Sequence, residues 1–193
     1  MRKGTSATLK DSQQPTPITA SNVMRLLQKE YGSFVWEPRL DAVSELVYTI
    51  LSQHTSDINS ERAFLKLLET FESLEEVSNA DVPKIAKSIS SGGLSTIKAP
   101  RIKRILNHIK NERGSLNIDF LKELPLNEAK EWLKKLPGIG PKSAAVILCF
   151  SLGMPAMPVD THVFRVSDRI GLTINSKNPL ATELQLIKIL PKH

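Results

Sequence analysis

Apolar residues recur three and four positions apart along almost the whole chain, the spacing that puts them on one face of an α-helix. Val23, Leu26 and Leu27 make one stripe, ended by Gly32, and Val43, Leu46, Val47, Ile50 and Leu51 make a second. Ser56 and Asp57 are placed to cap a third helix that carries Phe64, Leu67, Leu68 and Phe71 on one face. Leu74 to Val77 predicts a short turn of helix, and Asp81 with Pro83 opens another bearing Val82, Ile85 and Ile89, stopped by Gly92 and Gly93. A long basic helix is predicted from Lys98 to Arg113, with Pro100 in its first turn and Ile102, Ile105, Leu106 and Ile109 turned inward. Its outer face would carry Lys98, Arg101, Lys103, Arg104 and Lys110. Further helices are expected at 127–135, 141–152, 160–170 and 179–190. No run alternates with period two between hairpin signals, so the expected fold class is all-α, with about ten helices.

Composition adds limits. Residues 1–20 are mostly Ser, Thr, Gln, Pro and Lys and are expected to be a disordered tail, because they bury too little apolar surface to offset the entropy of ordering. No apolar run reaches the ~18 residues of a spanning helix, and the first residues, MRKGTSATLKDSQQPTP, lack the apolar core of a secretory signal. An intracellular protein, cytoplasmic if bacterial, is therefore expected. The single cysteine, Cys149, excludes a disulfide framework, a multi-thiolate zinc site and a four-cysteine iron-sulfur cluster built from this chain alone.

Charge is unevenly spread. Residues 41–83 hold 2 basic and 9 acidic groups, net −7, whereas residues 84–142 hold 13 basic and 5 acidic, net +8. A basic stretch set against an acidic one is what a phosphate-backbone binder presents, and equally what a solvated face of Lys-rich helices presents.

The segment KKLPGIGPKSAAVIL, residues 134–148, narrows the choice. Leu136 and Pro137 end one helix, Gly138 and Gly140 are expected to allow a turn with positive φ, and Pro141 suits the first position of the next helix. Backbone N–H groups left uncovered at such a helix start can cradle a phosphate without reading a base. Lys142 falls in the first turn, where the helix dipole and partial burial would both disfavour its ammonium form. A free amine there could add to a sugar carbon and form a Schiff base, or Lys142 could be one more phosphate contact. Eighteen residues on, in MPVDTHVFRV, Asp160 opens a helix. It can cap that helix and, being held ionised, stabilise an oxocarbenium ion developing nearby. His162 is expected to pack rather than to act. No His, Cys and carboxylate cluster has metal-ligand spacing.

LPGIGPKSAAVIL followed at this interval by PVDTHVFRV resembles the helix-hairpin-helix and Gly/Pro-Asp signature of the endonuclease III family of DNA glycosylases. The resemblance extends through ELVYTILSQHTSDIN (45–59) and SGGLSTIKAPRI (91–102), and so over roughly residues 22–190. It implies two helical lobes with the active site in the cleft between them: a barrel-like lobe over 41–153 that includes the helix-hairpin-helix at 127–152, and a second, incomplete lobe made of 21–40 and 154–193. By resemblance, Lys142 is the Schiff-base nucleophile and Asp160 the essential carboxylate. Gly138, Ile139 and Gly140 contact the DNA backbone; apart from the resemblance, the charge of the basic helix makes Lys98, Arg101 and Arg104 expected phosphate contacts. Either Gln53 or His54 fills the gap left by an extruded nucleotide, and Leu94 wedges into the opposite strand. The backbone carbonyls of Lys134, Leu136 and Ile139 would hold a monovalent cation.

The implied activity is base excision repair by a bifunctional DNA glycosylase and AP lyase acting, as a monomer, on damaged or abasic double-stranded DNA, with oxidised pyrimidines as the expected lesions. The rival from the same residues is a non-catalytic helix-hairpin-helix module, or a fragment that binds DNA without cutting it. Relatives commonly continue into four cysteines that hold an iron-sulfur cluster. Here a cluster is expected only if a segment beyond His193 supplies them, and the uncovered stripe Leu180, Leu184, Ile187 and Leu190 points to truncation.

Overall fold

The computed structural model describes residues 18–190, and among these there are ten α-helices and no strand. In chain order they are α1 (Ala20–Tyr31), α2 (Ala42–Ser52), α3 (Asp57–Thr70), α4 (Leu74–Asn79), α5 (Val82–Ser88), α6 (Ser95–Arg113), α7 (Leu126–Lys134), α8 (Pro141–Phe150), α9 (Thr161–Arg169) and α10 (Pro179–Ile189). Short 3-10 turns at Ser90–Gly92 and Asp119–Glu123, which the apolar spacing does not signal, complete the connections.

Local chemistry sets most helix starts. Asp41 Oδ1 accepts the N–H groups of Val43 and Ser44 at 3.1 and 3.0 Å, and Ser56, Ser73 and Asn178 cap α3, α4 and α10 in the same way. Asp81 precedes α5 without a side-chain capping bond. Two boundaries differ from the expectation. Thr19 Oγ1 accepts the N–H of Asn22, so helix begins at Ala20, inside the stretch read as a tail; residues 1–17 lie outside the described residues. And α6 starts at Ser95, so Pro100 is its sixth residue, interior to the helix and not in its first turn. Its missing N–H then removes one intrahelical bond that a first-turn proline would not.

One core joins residues from Ala42 to Ala156. Leu46, Val47, Ile50 and Leu51 of α2 lie fully inside it, against Ala63 and Leu67 of α3, Ile102, Ile105, Leu106 and Ile109 of α6, and Ala144, Ile147 and Leu148 of α8. Each of the Val, Leu and Ile side chains among these stabilises the fold by about 1.5–3 kcal/mol relative to exposure. Because α2 is enclosed on nearly every side, it also buries Glu45, and a buried carboxylate needs a partner. Arg39 supplies it with a two-pronged contact, Nε to Oε2 at 2.9 Å and Nη2 to Oε1, while its guanidinium lies over the ring of Tyr48.

α4, α5 and α7 add Leu74, Val77, Ile85, Ala129 and Leu133 to the same core, and α9 and α10 belong to a thinner second lobe. α9 and α10 pack on each other, and Lys130 of α7 pairs with Glu183 of α10 across the two lobes. The indole of Trp36 donates to the carbonyl of Cys149 at 3.0 Å and lies over Gly153, where a Cβ would sit 3.1–3.3 Å from the ring and φ is +63°. Leu180, Leu184 and Ile187 are exposed, as their spacing implied. Among the described residues no helix is long and apolar enough to cross a membrane.

Candidate active site

The hairpin between α7 and α8 is anchored from beneath by Leu136 and Ile139, both buried, and closed by the N–H of Ile139 donating to the carbonyl of Leu136 at 3.1 Å. Gly138 has φ +84°, a left-handed conformation that favours glycine. Gly140 does not: with φ −95° and ψ −180° it is extended backbone, a correction to the expectation of two positive-φ glycines. The turn reverses at one residue only. A Cβ on Gly140 would meet nothing within 4 Å, so the reason for glycine there is not packing inside the protein. What remains is open access to the backbone ahead of α8, whose N-terminus has no side-chain cap and keeps its first N–H groups for another acceptor.

Lys142 lies in the first turn of α8, exposed and not partly buried as expected, because the start of α8 projects from the core that its later residues Ala144, Ala145, Ile147 and Leu148 enter. Asp160 caps α9. Its Oδ1 accepts the N–H groups of Val163 at 2.8 Å and His162 at 2.9 Å. The bond from Val163 lowers the carboxyl below its ordinary pKa; partial burial opposes this, and the His162 N–H and the charge of Lys142 lower it further. Lys142 and Asp160, from different lobes, are therefore within reach of each other's field. Among the ion pairs of the described residues none joins Lys142 to Asp160, and the Lys142 side chain is exposed. His162, expected to pack, is exposed, with Nδ1 3.4 Å from Arg165 Nη2.

A second group adjoins the hairpin. The side-chain amide of Gln53, at the end of α2, donates to the carbonyl of Gly138 at 3.0 Å, and its oxygen accepts from Arg101 Nη1 at 2.9 Å. The Arg101 side chain covers Gly138 so closely that a Cβ there would come within 2.6–2.7 Å of it. Gln53 and Arg101 thus brace the hairpin. His54, by contrast, is exposed in a left-handed conformation at φ 55°. Leu94, just before α6, is left-handed too at φ 50°, and 49% exposed. Bulky residues rarely hold this conformation, which costs of order 1–3 kcal/mol and persists where the surroundings impose it.

Arg104 is exposed as expected, but two lysines are not where the charge pattern put them. Lys103 donates to the carbonyl of Ala80 at 2.7 Å. Lys98 is 2% exposed and faces the core, because it stands four residues before Ile102 on the inward stripe of α6. It cannot contact DNA from there. The sequence signal was present in that spacing, and the charge of the residue hid it. Lys134 pairs with Glu131 at 2.6 Å through its side chain, while the Leu136 carbonyl already receives one N–H. Cys149 lies half-buried in α8, where burial raises its thiol pKa, and the donors present do not fit a thiolate-held cluster. Among the described residues no group of three His, Cys, Asp or Glu could hold a metal ion.

The pattern defining the HhH-GPD superfamily of base excision DNA repair proteins matches residues 47–192, from the middle of α2 past the end of α10. The chain belongs to the HhH-GPD superfamily. Within it, this chain is 36% identical over 152 residues to endonuclease III of Thermotoga maritima, covering 79% of this chain and 67% of that one. It is 39% identical over 146 residues to a DNA glycosylase homologue from Arabidopsis thaliana, covering 76% of this chain but 50% of the relative, so it spans about half of that protein's length. Among solved HhH-GPD structures, a non-covalent endonuclease III–DNA complex superimposes with a TM-score of 0.71 at 26% identity, over 90% of this chain and 79% of the other.

Proposed function

We propose that this HhH-GPD protein is a bifunctional DNA glycosylase and AP lyase of base excision repair, working inside the cell as a monomer on double-stranded DNA with a damaged or abasic nucleotide. The observation that carries the reading is the pairing, within an HhH-GPD chain, of an exposed Lys142 in the first turn of α8 behind the glycine hairpin with the Asp160 carboxylate, fixed by two N–H groups at the start of α9. A module that only held phosphates would need no more than the α9 cap from this residue, and an uncharged Asn would supply that cap without setting a negative charge beside the phosphate path. Oxidised pyrimidines are the proposed lesions, in keeping with the endonuclease III resemblance.

In this reading the duplex lies on the hairpin, with a phosphate on the free N–H groups at the start of α8 and the target nucleotide turned out of the stack. The Lys142 amine forms a bond to C1′ as the base leaves with the electron pair of its glycosidic bond and takes up a proton. The Asp160 carboxylate, held ionised by the α9 N–H groups, stabilises the positive charge developing on the sugar. Loss of a proton from the bound nitrogen, with cleavage of the C1′–O4′ bond and protonation of O4′, opens the sugar ring and gives the Schiff base; removal of a C2′ proton then expels the 3′ phosphate with the electron pair of its C3′–O bond, and water releases Lys142. The carbonyls of Lys134, Leu136 and Ile139 remain the proposed cation ligands, with no part in these steps.

Borohydride added during turnover should trap a covalent protein–DNA adduct, and Lys142→Ala should abolish both the adduct and strand nicking, a loss on the order of a thousandfold or more. Tight binding of an abasic duplex by the folded parent protein, with neither adduct nor nick, would instead establish the non-catalytic module.

A further inference from the structure

Lys98 is the largest buried polar side chain, and the proposed chemistry does not use it. Its Nζ donates to the carbonyl of Leu51 at 2.7 Å and to that of Gly92 at 2.8 Å, and no carboxylate pairs with it. Burial, with the neighbouring charge of Arg101, lowers its pKa. Burying a lysine is costly, and a helix that merely needed an inward residue at this place would be served by leucine. The two acceptors explain the exception. Leu51 is among the last residues of α2, whose terminal carbonyls have no helical partner and sit at the negative end of its dipole. Gly92 ends the 3-10 turn before α6, and its backbone presses on α3 so closely that a Cβ would lie 3.0 Å from that of Ala63.

Each carbonyl stands just before one of the two strained, exposed residues of this face: His54 three residues after Leu51, and Leu94 two residues after Gly92. We infer that Lys98 is a positioning residue that ties the two turns together, so that His54 and Leu94 are presented to the duplex at a fixed separation and enter it as a pair. This rests on the glycosylase reading and extends it. Filling a hole in base-paired DNA requires both residues to arrive in register, whereas single-stranded DNA has no stacked hole to fill. The chemistry at Lys142 lies on α8, whereas the two hydrogen bonds of Lys98 go to the end of α2 and to the turn before α6. Loss of the tie should therefore be felt on duplex DNA and not on a single strand.

The test replaces Lys98 by Met, which keeps the length of the chain and removes its donors. Nicking of an abasic site is measured in duplex and in single-stranded DNA, with 2-aminopurine opposite the abasic site to report unstacking of that strand. Lys98→Met should lower kcat on the duplex at least about tenfold, leave single-strand nicking within about twofold, and reduce the fluorescence rise on duplex binding. Its effect on the duplex should not add to that of Leu94→Ala, since both act through the same wedge. If Lys98→Met does not fold, Lys98→Gln, which keeps an amide donor, takes its place in the same comparison. Equal losses on both substrates, or no loss on either, would overturn the inference. The fluorescence readout needs binding alone, so failure of the parent to nick would remove the proposed activity while leaving the positioning role open to measurement.

Discussion

Lys142 and Asp160 come from lobes that are built differently. The lobe behind Lys142 has a continuous core, with α2 enclosed by α3, α6 and α8, and its surface turns are tied to one another by Lys98, Gln53 and Arg101. The lobe behind Asp160 buries few side chains, among them Ala20, Val159 and Leu186, and leaves Tyr31, Phe34, Val35, Leu180 and Leu184 open. Its functional group depends instead on two backbone bonds made within one helix turn. The two sides of the proposed site are thus fixed differently, by long-range packing behind Lys142 and by local capping at Asp160. Packing and the Gln53 and Arg101 bonds fix the hairpin proposed to meet phosphates, and a single cap fixes the carboxylate proposed to act.

The sharpest way to break this contrast is at Asp160. Asp160→Asn keeps a good capping residue but removes the charge, so nicking should fall about a hundred- to a thousandfold while the melting temperature at pH 7 falls only slightly. Asp160→Ala should lose the cap as well, at about 1 kcal/mol. Because the folded carboxyl titrates below its ordinary range, its stabilisation is complete above about pH 4 and is lost as the pH falls through the folded value. Parent and Asp160→Asn stabilities should converge on acidification, which denaturation at pH 7 and below pH 4 would measure.

The second test concerns packing. Ile50→Ala opens a cavity at the centre of the first lobe and should cost about 2–5 kcal/mol in chemical denaturation. Leu184→Ala removes the same kind of surface from an exposed helix face and should change stability by no more than about 0.5 kcal/mol. Similar losses at the two sites would mean that the second lobe is as tightly packed as the first.

How far the site can be read from the sequence follows the same division. Asp160 and its cap, Lys142 in a first turn and the hairpin ahead of it are all local, fixed by residue types within a few positions of one another. Apolar spacing likewise marks the inward face of α6 through Ile102, Ile105, Leu106 and Ile109. What spacing does not reveal is the ties between distant segments. Gln53 and Gly138 are 85 residues apart, and Arg101 and Gln53 are 48 apart, so no local pattern links them. Leu94 and His54 in left-handed conformations contradict their own preferences, and such exceptions are imposed by the folded surroundings. Lys98 was legible in its phase along α6 but not in its charge.

The hairpin glycines sharpen the contrast within a single turn. Gly138→Ala should destabilise by about 1–2 kcal/mol for the left-handed backbone, with more for displacing Arg101 and its bond to Gln53. Gly140→Ala meets neither obstacle and should leave stability within about 0.5 kcal/mol. Its methyl would instead stand where the duplex backbone is proposed to approach, so affinity for undamaged duplex should drop. Unchanged affinity in Gly140→Ala would move the phosphate elsewhere on the surface.

The smallest effect expected is on the salt dependence of binding, and it separates two arginines that stand one turn apart on α6. Arg104 is exposed, and the reading assigns it to a phosphate. Arg104→Ala should lower the log-log salt slope by ~0.9, the share of one neutralised phosphate, and leave the order of lesion preference intact. Arg101 is half-buried, with its guanidinium engaged by Gln53 and laid over Gly138. Arg101→Ala should therefore act mainly by loosening the hairpin, which lowers affinity at every salt concentration by a similar factor and changes the slope little. Glu69→Gln on the exposed, acidic face of α3 is the control that should alter neither quantity. Equal slopes for the parent and Arg104→Ala would assign this part of the basic helix to solvent, and the charge asymmetry of the chain would then reflect solvation of its helices instead of a path for DNA.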